Sequence, residues 1–353
     1  MHWRNLIRKV VISIFVGVPI LFGLFFSLKY FVLGNGPDMS DMKILSGCEE
    51  FDIPDLSYTD VLGDACNCMT PQGICVAGDY VFITAFCNID SYKKALDENS
   101  DEMANQIIRA SEDTHERHNS VLYVMSKETK EHLSTLIFDD RSHVGGITFD
   151  GEYVWVAKGG NCKLEAYSYE TLDEYIQMRS YSYPICEPVG QVECDNVTSF
   201  VTYYDGCLWT GTFTAGNGVL IGYSVELEED GMHVVDMHKV ISIPPYANGA
   251  DFVEKDGKTY LAVTTSYGRN NNSKLYIYDT EMDLDPSEDV LQYSVLATHV
   301  LPPMAEEICA NGGDLYFLFE SASTAYSTVE DDKCRNVVNT VCIADVEKLL
   351  STR

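Results

Sequence analysis

Apolar and polar positions along this chain alternate in short runs that recur as a unit. Five stretches share one order: an apolar run, a tight turn, a second run with a central aromatic, a polar loop, and a third run ending in polar residues. They begin at Pro71 (PQGICVAGDYVFITAF), Val144 (VGGITFDGEYVWVAKGG), Val197 (VTSFVTYYDGCLWTGTF), Ala247 (ANGADFVEKDGKTYLAVTTS) and Ala305 (AEEICANGGDLYFLFES). Period-two alternation broken by Gly, Asp and Asn predicts strands and hairpin turns. Its repetition about every fifty residues predicts an all-β, five-bladed β-propeller.

Matching positions support that register. The first strand of each unit carries Ile74, Ile147, Phe200, Ala250 and Ile308, and the second carries Phe82, Trp155, Trp209, Tyr260 and Tyr316. A bulky ring at the second position fills the wedge that opens between neighbouring radial sheets, and its burial is worth a few kcal/mol. Fourth strands are read at HLSTLIF, YIQMRSYSY, MHVVDMHKVISI and YSVLATHVL. The fifth unit ends soon after its third strand, at ADVEKLLSTR. An open edge invites aggregation, so the segment around MKILSGCEEFDI is expected to supply the missing strand and close the ring.

The first unit is interrupted between its second and third strands by residues 88–120, where Leu96, Met103, Ile107 and Ile108 fall at helical spacing. This predicts an amphipathic helix laid over the ring. Ahead of the repeats, Val10 to Leu33 is apolar except at Pro19 and Lys29. That is long enough to cross a hydrocarbon core of about 30 Å. Arg4, Arg8 and Lys9 before it place residues 1–9 in the cytoplasm by the positive-inside rule. The expected plan is a basic tail (1–9), an uncleaved signal-anchor helix (10–33), a tether (34–41) and a propeller outside the cytoplasm (42–353).

All 54 acidic residues lie beyond Leu33, whereas four of the 24 Lys and Arg precede it, within a net formal charge of −30. So acidic a domain repels nucleic acid and anionic headgroups, which leaves the N-terminal helix as the contact with membrane. Weak calcium binding is the one cofactor this acidity suggests. Twelve cysteines, all after Leu33, predict disulfides in an exported domain, with Cys186–Cys194 and Cys334–Cys342 as candidate staples. Cys75 and Cys309 share one register of the first strand and are read as core. Cys66-Asn67-Cys68 lacks the spacing of a zinc finger, and no metal site is assigned.

In a propeller, residues just before each first strand ring one mouth of the central channel. Here these are Gln72, Gly145, Thr198, Asn248 and Glu306, with His143, Ser199 and Glu307 beside them. Two loops return to the same end. Ser266-Tyr267-Gly268-Arg269 offers a fixed cation beside a ring. Glu320-Ser321 with Tyr326 offers a further carboxylate near Glu306 and Glu307, and closely placed carboxyls have raised pKa values suited to acid chemistry. Weaker signals are a calcium-loop-like run from Asp283 to Asp289 and the glycan acceptor patterns at Asn196 and Asn271. No P-loop, GxSxG or HExxH motif occurs.

HVGGITFDGEYVWVA, NGADFVEKDGKTYLAVTTSYGRNNNSKLYIYD and PPMAEEICANGGDLYFLFESAS together resemble a group of bacterial exported or membrane-anchored propellers without assigned activity. The chain is more loosely similar to the NHL and lactonase-like propeller class. The resemblance spans roughly residues 70–345 and implies an extracytoplasmic domain. Ser266, Tyr267, Gly268, Arg269, Glu306, Glu320, Ser321 and Tyr326 would be its shared signature. The function expected is a tethered binding module for a polar small molecule, glycan or protein partner. The alternative is an extracytoplasmic hydrolase, either a glycosidase or a calcium-dependent phosphohydrolase.

Overall fold

The computed structural model describes residues 43–59, 65–89, 118–178, 184–228, 231–284, 289–328 and 333–351, all within the unit Met39–Arg353. The apolar run 10–33 and most of the insertion 88–120 lie outside the described residues. Among the described residues no helix is long and apolar enough to cross a membrane.

The described chain is all-β apart from short helices. It opens with β1 (Glu49–Asp52) and a ribbon of β2 (Tyr58–Thr59) with β3 (Ala65–Cys66). Four antiparallel meanders follow. The first is β4 (Met69–Ala77), β5 (Tyr80–Cys87), β6 (Val121–Ser126) and β7 (His132–Phe138). The second is β8 (His143–Phe149), β9 (Tyr153–Gly159) and β10 (Lys163–Ser168), then helix α1 (Tyr169–Gln177), β11 (Ile185–Cys186) and β12 (Gly190–Glu193). Of these, β12 completes the second sheet while β11 pairs in parallel with β7 of the first. The third is β13 (Phe200–Tyr204), β14 (Cys207–Gly211), β15 (Gly218–Glu228) and β16 (Gly231–Ile243). The fourth is β17 (Ala247–Lys255), β18 (Lys258–Thr265), β19 (Ser273–Asp283) and β21 (Tyr293–Leu301), with β20 (Val290–Leu291) added in parallel to β16.

The last sheet is composite. β22 (Ala305–Asn311), β23 (Asp314–Phe319) and β24 (Thr340–Asp345) are completed by β1, whose Glu49 and Asp52 lie opposite Ile343 and Thr340. The propeller-like arrangement therefore holds four self-contained blades rather than five equivalent ones, and the remaining sheet joins the two ends of the described chain. Innermost strands β4, β8, β13, β17 and β22 each pack on the next, and β22 packs back on β4.

Five apolar clusters fill the described fold, and each takes one of the recurrent second-strand rings: Tyr316, Phe82, Trp155, Trp209 and Tyr260. Hairpin turns follow the residues that the sequence offers. Asp205-Gly206 (φ 50°, 75°) and Asp256-Gly257 (φ 51°, 76°) both hold two consecutive positive φ values, the requirement of a type I′ turn between twisted strands.

One predicted strand is a helix. YIQMRSYSY was expected to close the second sheet, yet Tyr175–Gln177 end α1 and β12 closes it instead. Ser168 caps α1 by accepting from the Thr171 N–H, and Leu172 and Ile176, four apart, bury one face. No disulfide joins any of the twelve cysteines in this structure, the expected staples Cys186–Cys194 and Cys334–Cys342 included. Cys186 packs among the first- and second-sheet side chains, and Cys194 packs in a different cluster with Trp155. Cys334 donates to the Asn336 carbonyl, while Cys342 packs beside Leu315 and Phe317. Cys75 and Cys309 are buried and free, as core residues are.

The inner strands converge on one carboxylate. Glu307 of β22 is buried, and its Oε2 accepts from the N–H of Ile74 (3.0 Å) and Ile147 (2.8 Å) while Oε1 accepts from Val201 (3.3 Å). These donors belong to three different sheets. Pro71/Ile74, Val144/Gly146, Ala247/Gly249 and Ala305/Ile308 mark bulges in four inner strands, and bulges re-aim backbone groups that a regular ladder would hold. Asp251 makes a second junction. It accepts from Thr202 Oγ1, and its Oδ2 accepts from the Ala310 N–H at 2.6 Å.

Room for Glu307 comes from glycine. A Cβ on Gly146 would stand 2.5 Å from Glu307 Oε1 and 2.6 Å from Phe200 Cα; one on Gly249 would stand 2.5 Å from Glu307 Cα. Gly146→Ala should therefore destabilise the fold by about 2 kcal/mol or more, since backbone on the far side cannot yield. Equilibrium urea unfolding checks this, and an unchanged midpoint would remove the close approach from the account.

Candidate functional site

The same inner strands that meet at Glu307 bring their starts to one cavity of about 730 Å³. Of the residues predicted from sequence, Gln72, His143, Asn248, Ser266, Tyr267, Arg269, Glu306, Glu320 and Tyr326 line it, together with Gly145, Ser199 and Gly268. Three do not. Thr198 is buried, and its Oγ1 donates to the carbonyls of Asn161 (3.1 Å) and Lys163 (2.9 Å), tying the loop between the second and third sheets. Glu307 is directed into the backbone junction. The Ser321 hydroxyl accepts from the Val338 N–H at 3.0 Å. Thr198 and Glu307 were placed at the mouth by register and Ser321 by its loop, and each is taken by main-chain groups instead.

Glu306 and Glu320 form the centre of the cavity wall. Glu306 stands on β22, next to Glu307 and within the bulge that separates Ala305 from Ile308. Glu320 begins a 3-10 turn directly after β23, its N–H donating to the Met304 carbonyl at 3.0 Å. The two carboxyls hydrogen-bond to each other. Asn248 Nδ2 donates to Glu306 Oε1 (3.0 Å), and Gln72 Nε2 donates to Glu320 Oε2 (3.1 Å). Burial, followed by the charge of Glu320, pushes Glu306 well above the ordinary carboxyl range. Glu320 is pushed up to about 7 by burial, held back by Gln72, Glu306, Arg269 and Tyr326. Two acids in contact cannot both ionise cheaply, so one proton is shared across the pair at neutral pH.

Arg269 lies with its guanidinium carbon 4.9 Å from the Tyr326 ring centre, an arrangement that holds the cation beside the acid pair. The Tyr326 hydroxyl accepts from Asn88 Nδ2 at 2.7 Å, and burial with the nearby carboxylates raises its pKa. Tyr267 is 60 % exposed and stacks on Tyr246 at 4.6 Å, and Phe213 adjoins Tyr246 at 5.8 Å. His143 packs on Phe86 with ring centres 4.3 Å apart. The cavity thus has an acid pair, a cation, amide donors and an aromatic rim.

Phe213, Val197 and Met304 also line the cavity and were missed. Phe213 lies two residues past β14 just as Tyr267 lies two past β18, so the repeat register held a signal for it. Met304 carries φ 64°, which sequence does not announce. At the acceptor pattern of Asn196, the side chain donates to the Thr210 carbonyl (3.1 Å) and accepts from Thr210 Oγ1 (2.7 Å). At Asn271, Nδ2 donates to the Tyr267 carbonyl at 2.7 Å. In the calcium-like run, Asp283 Oδ1 accepts from the Gln292 N–H at 2.9 Å, and residues 285–288 lie outside the described residues.

No protein-family model and no curated protein matches this sequence. Among solved structures, the chain is similar to the Myxococcus xanthus glutaminyl cyclase (9% identity, 83% of this chain and 94% of that one, TM-score 0.41). It is also similar to the nidogen/laminin complex (13% identity, 72% and 74%, TM-score 0.34). A third similarity is to Kuenenia stuttgartiensis hydrazine synthase (9% identity, 70% and 55%, TM-score 0.33). Similarities this low carry no argument about activity, and the reading of the site rests on its own geometry.

Raised carboxyl pKa values have a thermodynamic sign. A buried acid that binds its proton more tightly when folded stabilises the fold at low pH and loses that contribution as pH rises. For Glu320 the loss spans the window from the ordinary 4.5 to about 7. Unfolding free energy should fall across that window in the wild type and fall less in Glu320→Gln. Urea midpoints measured from pH 4.5 to 8 check this; parallel curves for the two proteins would contradict the shared proton.

Proposed function

We propose that the chain is a ligand-binding β-propeller whose five sheets act as one ring, and that the cavity takes a small polar molecule bearing an anionic group. The observation that carries this is convergence: Gln72 from β4, Asn248 and Arg269 from β17 and the loop after β18, and Glu306 and Glu320 from β22 and the turn after β23, thus from three separate sheets, surround one concave space. Pockets with a few converging polar groups and perturbed acids are where ligands bind. Arg269 supplies the charge for a carboxylate or phosphate, the protonated acid and the amides supply hydrogen bonds, and Tyr267 supplies a face for stacking. The remaining parts of the reading are a signal-anchor helix at residues 10–33, a tether at 34–41 and a position outside the cytoplasm, motivated by the apolar run and the basic residues ahead of it.

A second reading is supported by Glu320 itself. An acid titrating near 7 can donate and accept a proton at working pH, which is what general acid–base catalysis needs. Two-carboxylate glycoside hydrolysis fits poorly, because its acids stand at least about 5 Å apart to admit the sugar or a water. Glu306 and Glu320 are in hydrogen-bonding contact instead. The acid–base reading therefore points to proton transfer or hydrolysis on a small substrate held beside Arg269.

A thermal-shift screen of the protein against carboxylates, phosphates, sugars and nucleotides tests the first reading. A stabilising ligand should appear, and Arg269→Ala should abolish its shift; an undiminished shift removes Arg269 from the site. For the second, Glu320→Gln should lower turnover of any substrate found by at least about a hundredfold while leaving its binding measurable. Full turnover in that variant would leave the site as a binding site alone.

A further inference from the structure

Cysteine and histidine side chains that are far apart in sequence meet near the cavity. Cys66 Sγ lies 3.5 Å from Cys87 Sγ, and Cys87 Sγ lies 3.9 Å from His118 Nδ1. The donor atoms of all three lie within 4.8 Å of one another, and all three residues are buried. Met69 Sδ is 3.4 Å from Cys66 Sγ and is wholly buried. We propose that Cys66, Cys87 and His118, with Met69 as fourth donor, form a metal site for one thiophilic d10 cation, Zn²⁺ or Cu⁺.

The spacing matches what such an ion needs. Tetrahedral zinc with sulfur at about 2.3 Å and nitrogen at about 2.0–2.1 Å sets its ligand atoms roughly 3.5–3.8 Å apart. Two thiols, an imidazole and a thioether are soft donors, which select these ions over calcium or magnesium. On binding, the two thiols release their protons to solvent and the thiolates ligate the ion; no electron changes hands. Sequence reading missed the cluster because its members come from β3, the end of β5 and the residue just before Asn119, none at finger spacing.

The placement gives the ion a task. Cys87 ends β5 and His118 lies three residues ahead of β6, so a shared ion ties those two strand ends to Cys66 of β3. Asn88, next to Cys87, donates from its N–H to the Cys68 carbonyl (2.9 Å) and from Nδ2 to the Tyr326 hydroxyl (2.7 Å). Asn67, between Cys66 and Cys68, accepts through its carbonyl from Thr324 Oγ1, on the short helix α2 (Thr324–Ser327) that carries Tyr326. An ion on Cys66 and Cys87 thus fixes both main-chain segments that hold Tyr326 against Arg269. It acts as a structural staple for one cavity wall.

The test uses the full chain, purified reduced, with Co²⁺ as spectroscopic probe. One equivalent should bind with a thiolate-to-cobalt charge-transfer band that Zn²⁺ displaces. Metal analysis of the chain as isolated tells Zn²⁺ from Cu⁺. Cys66→Ser, Cys87→Ser and His118→Ala should each weaken binding at least about a hundredfold, as losing a direct ligand exceeds the 10–100-fold of an outer-shell loss. Cys309→Ser, at an equally buried thiol, should leave it unchanged. If a ligand variant loses its fold, the wild type still decides: its Tm must fall with chelator and return with Zn²⁺ or Cu⁺. No cobalt–thiolate band in the reduced chain, an undiminished band in Cys87→Ser, or a Tm indifferent to chelator overturns the site. So does a Cys66–Cys87 disulfide recovered by peptide mapping, which would make the pair a covalent staple instead.

Discussion

A single buried carboxylate gathers this fold. Glu307 accepts main-chain N–H groups from Ile74, Ile147 and Val201, one from each of three sheets whose inner strands pack side by side. Backbone donors left unpaired in the interior cost about 1–3 kcal/mol each, so three satisfied together amount to a large part of a domain's net stability. Burial works against the charge and pushes the Glu307 acid upward, while the three donors pull it back. The arrangement is tolerable only because the donors come ready-aimed from bulged strands. Gly73, Gly146 and Gly249 leave the space; a Cβ on any of them would fall within 3.0 Å of Glu307 or of its neighbours.

The candidate site inherits its geometry from that junction. Glu306 is the next residue along, so fixing Glu307 fixes where Glu306 enters the cavity, and the bulge at Ala305/Ile308 accommodates two successive buried acids. Thr264 Oγ1 donates to the Glu306 carbonyl at 2.8 Å and locks the same peptide from the fourth sheet. Glu320 then arrives from the end of β23 and can meet Glu306 only with a proton between them. Arg269 and Tyr326 complete the wall from two loops, and the cluster of Cys66, Cys87 and His118 stands behind Tyr326. Sheet backbone lies beneath and loops lie above, the usual division for a binding site on a scaffold.

Much of this was legible because repeats carry their own controls. A ring at the same place in every unit had to fill the same wedge, and Phe82, Trp155, Trp209, Tyr260 and Tyr316 do so. The composite sheet followed from an unpaired edge at β24, which β1 covers. What failed depended on single side chains competing with the pattern. Ser168 capping α1 turned a predicted strand into a helix; nearby main-chain groups took Thr198, Ser321 and Glu307 away from the mouth. Register places a Cα well, but it cannot say which hydrogen bond a side chain chooses. The cysteine–histidine cluster was invisible for a different reason, since Cys66 comes from the ribbon outside the repeat and meets Cys87 at the end of β5 and His118 ahead of β6.

Amide hydrogen exchange at Ile74, Ile147 and Val201, compared between the wild type and Glu307→Gln, tests the central junction most directly. A glutamine carries an NH₂ where one of these N–H groups needs an acceptor, so the three amides in three sheets should lose protection together. The account predicts exchange faster by about a hundredfold or more at all three, as expected for a loss near 3 kcal/mol. Unchanged protection at these amides, or loss at only the one nearest the substituted nitrogen, would contradict a shared carboxylate as the point on which the sheets close.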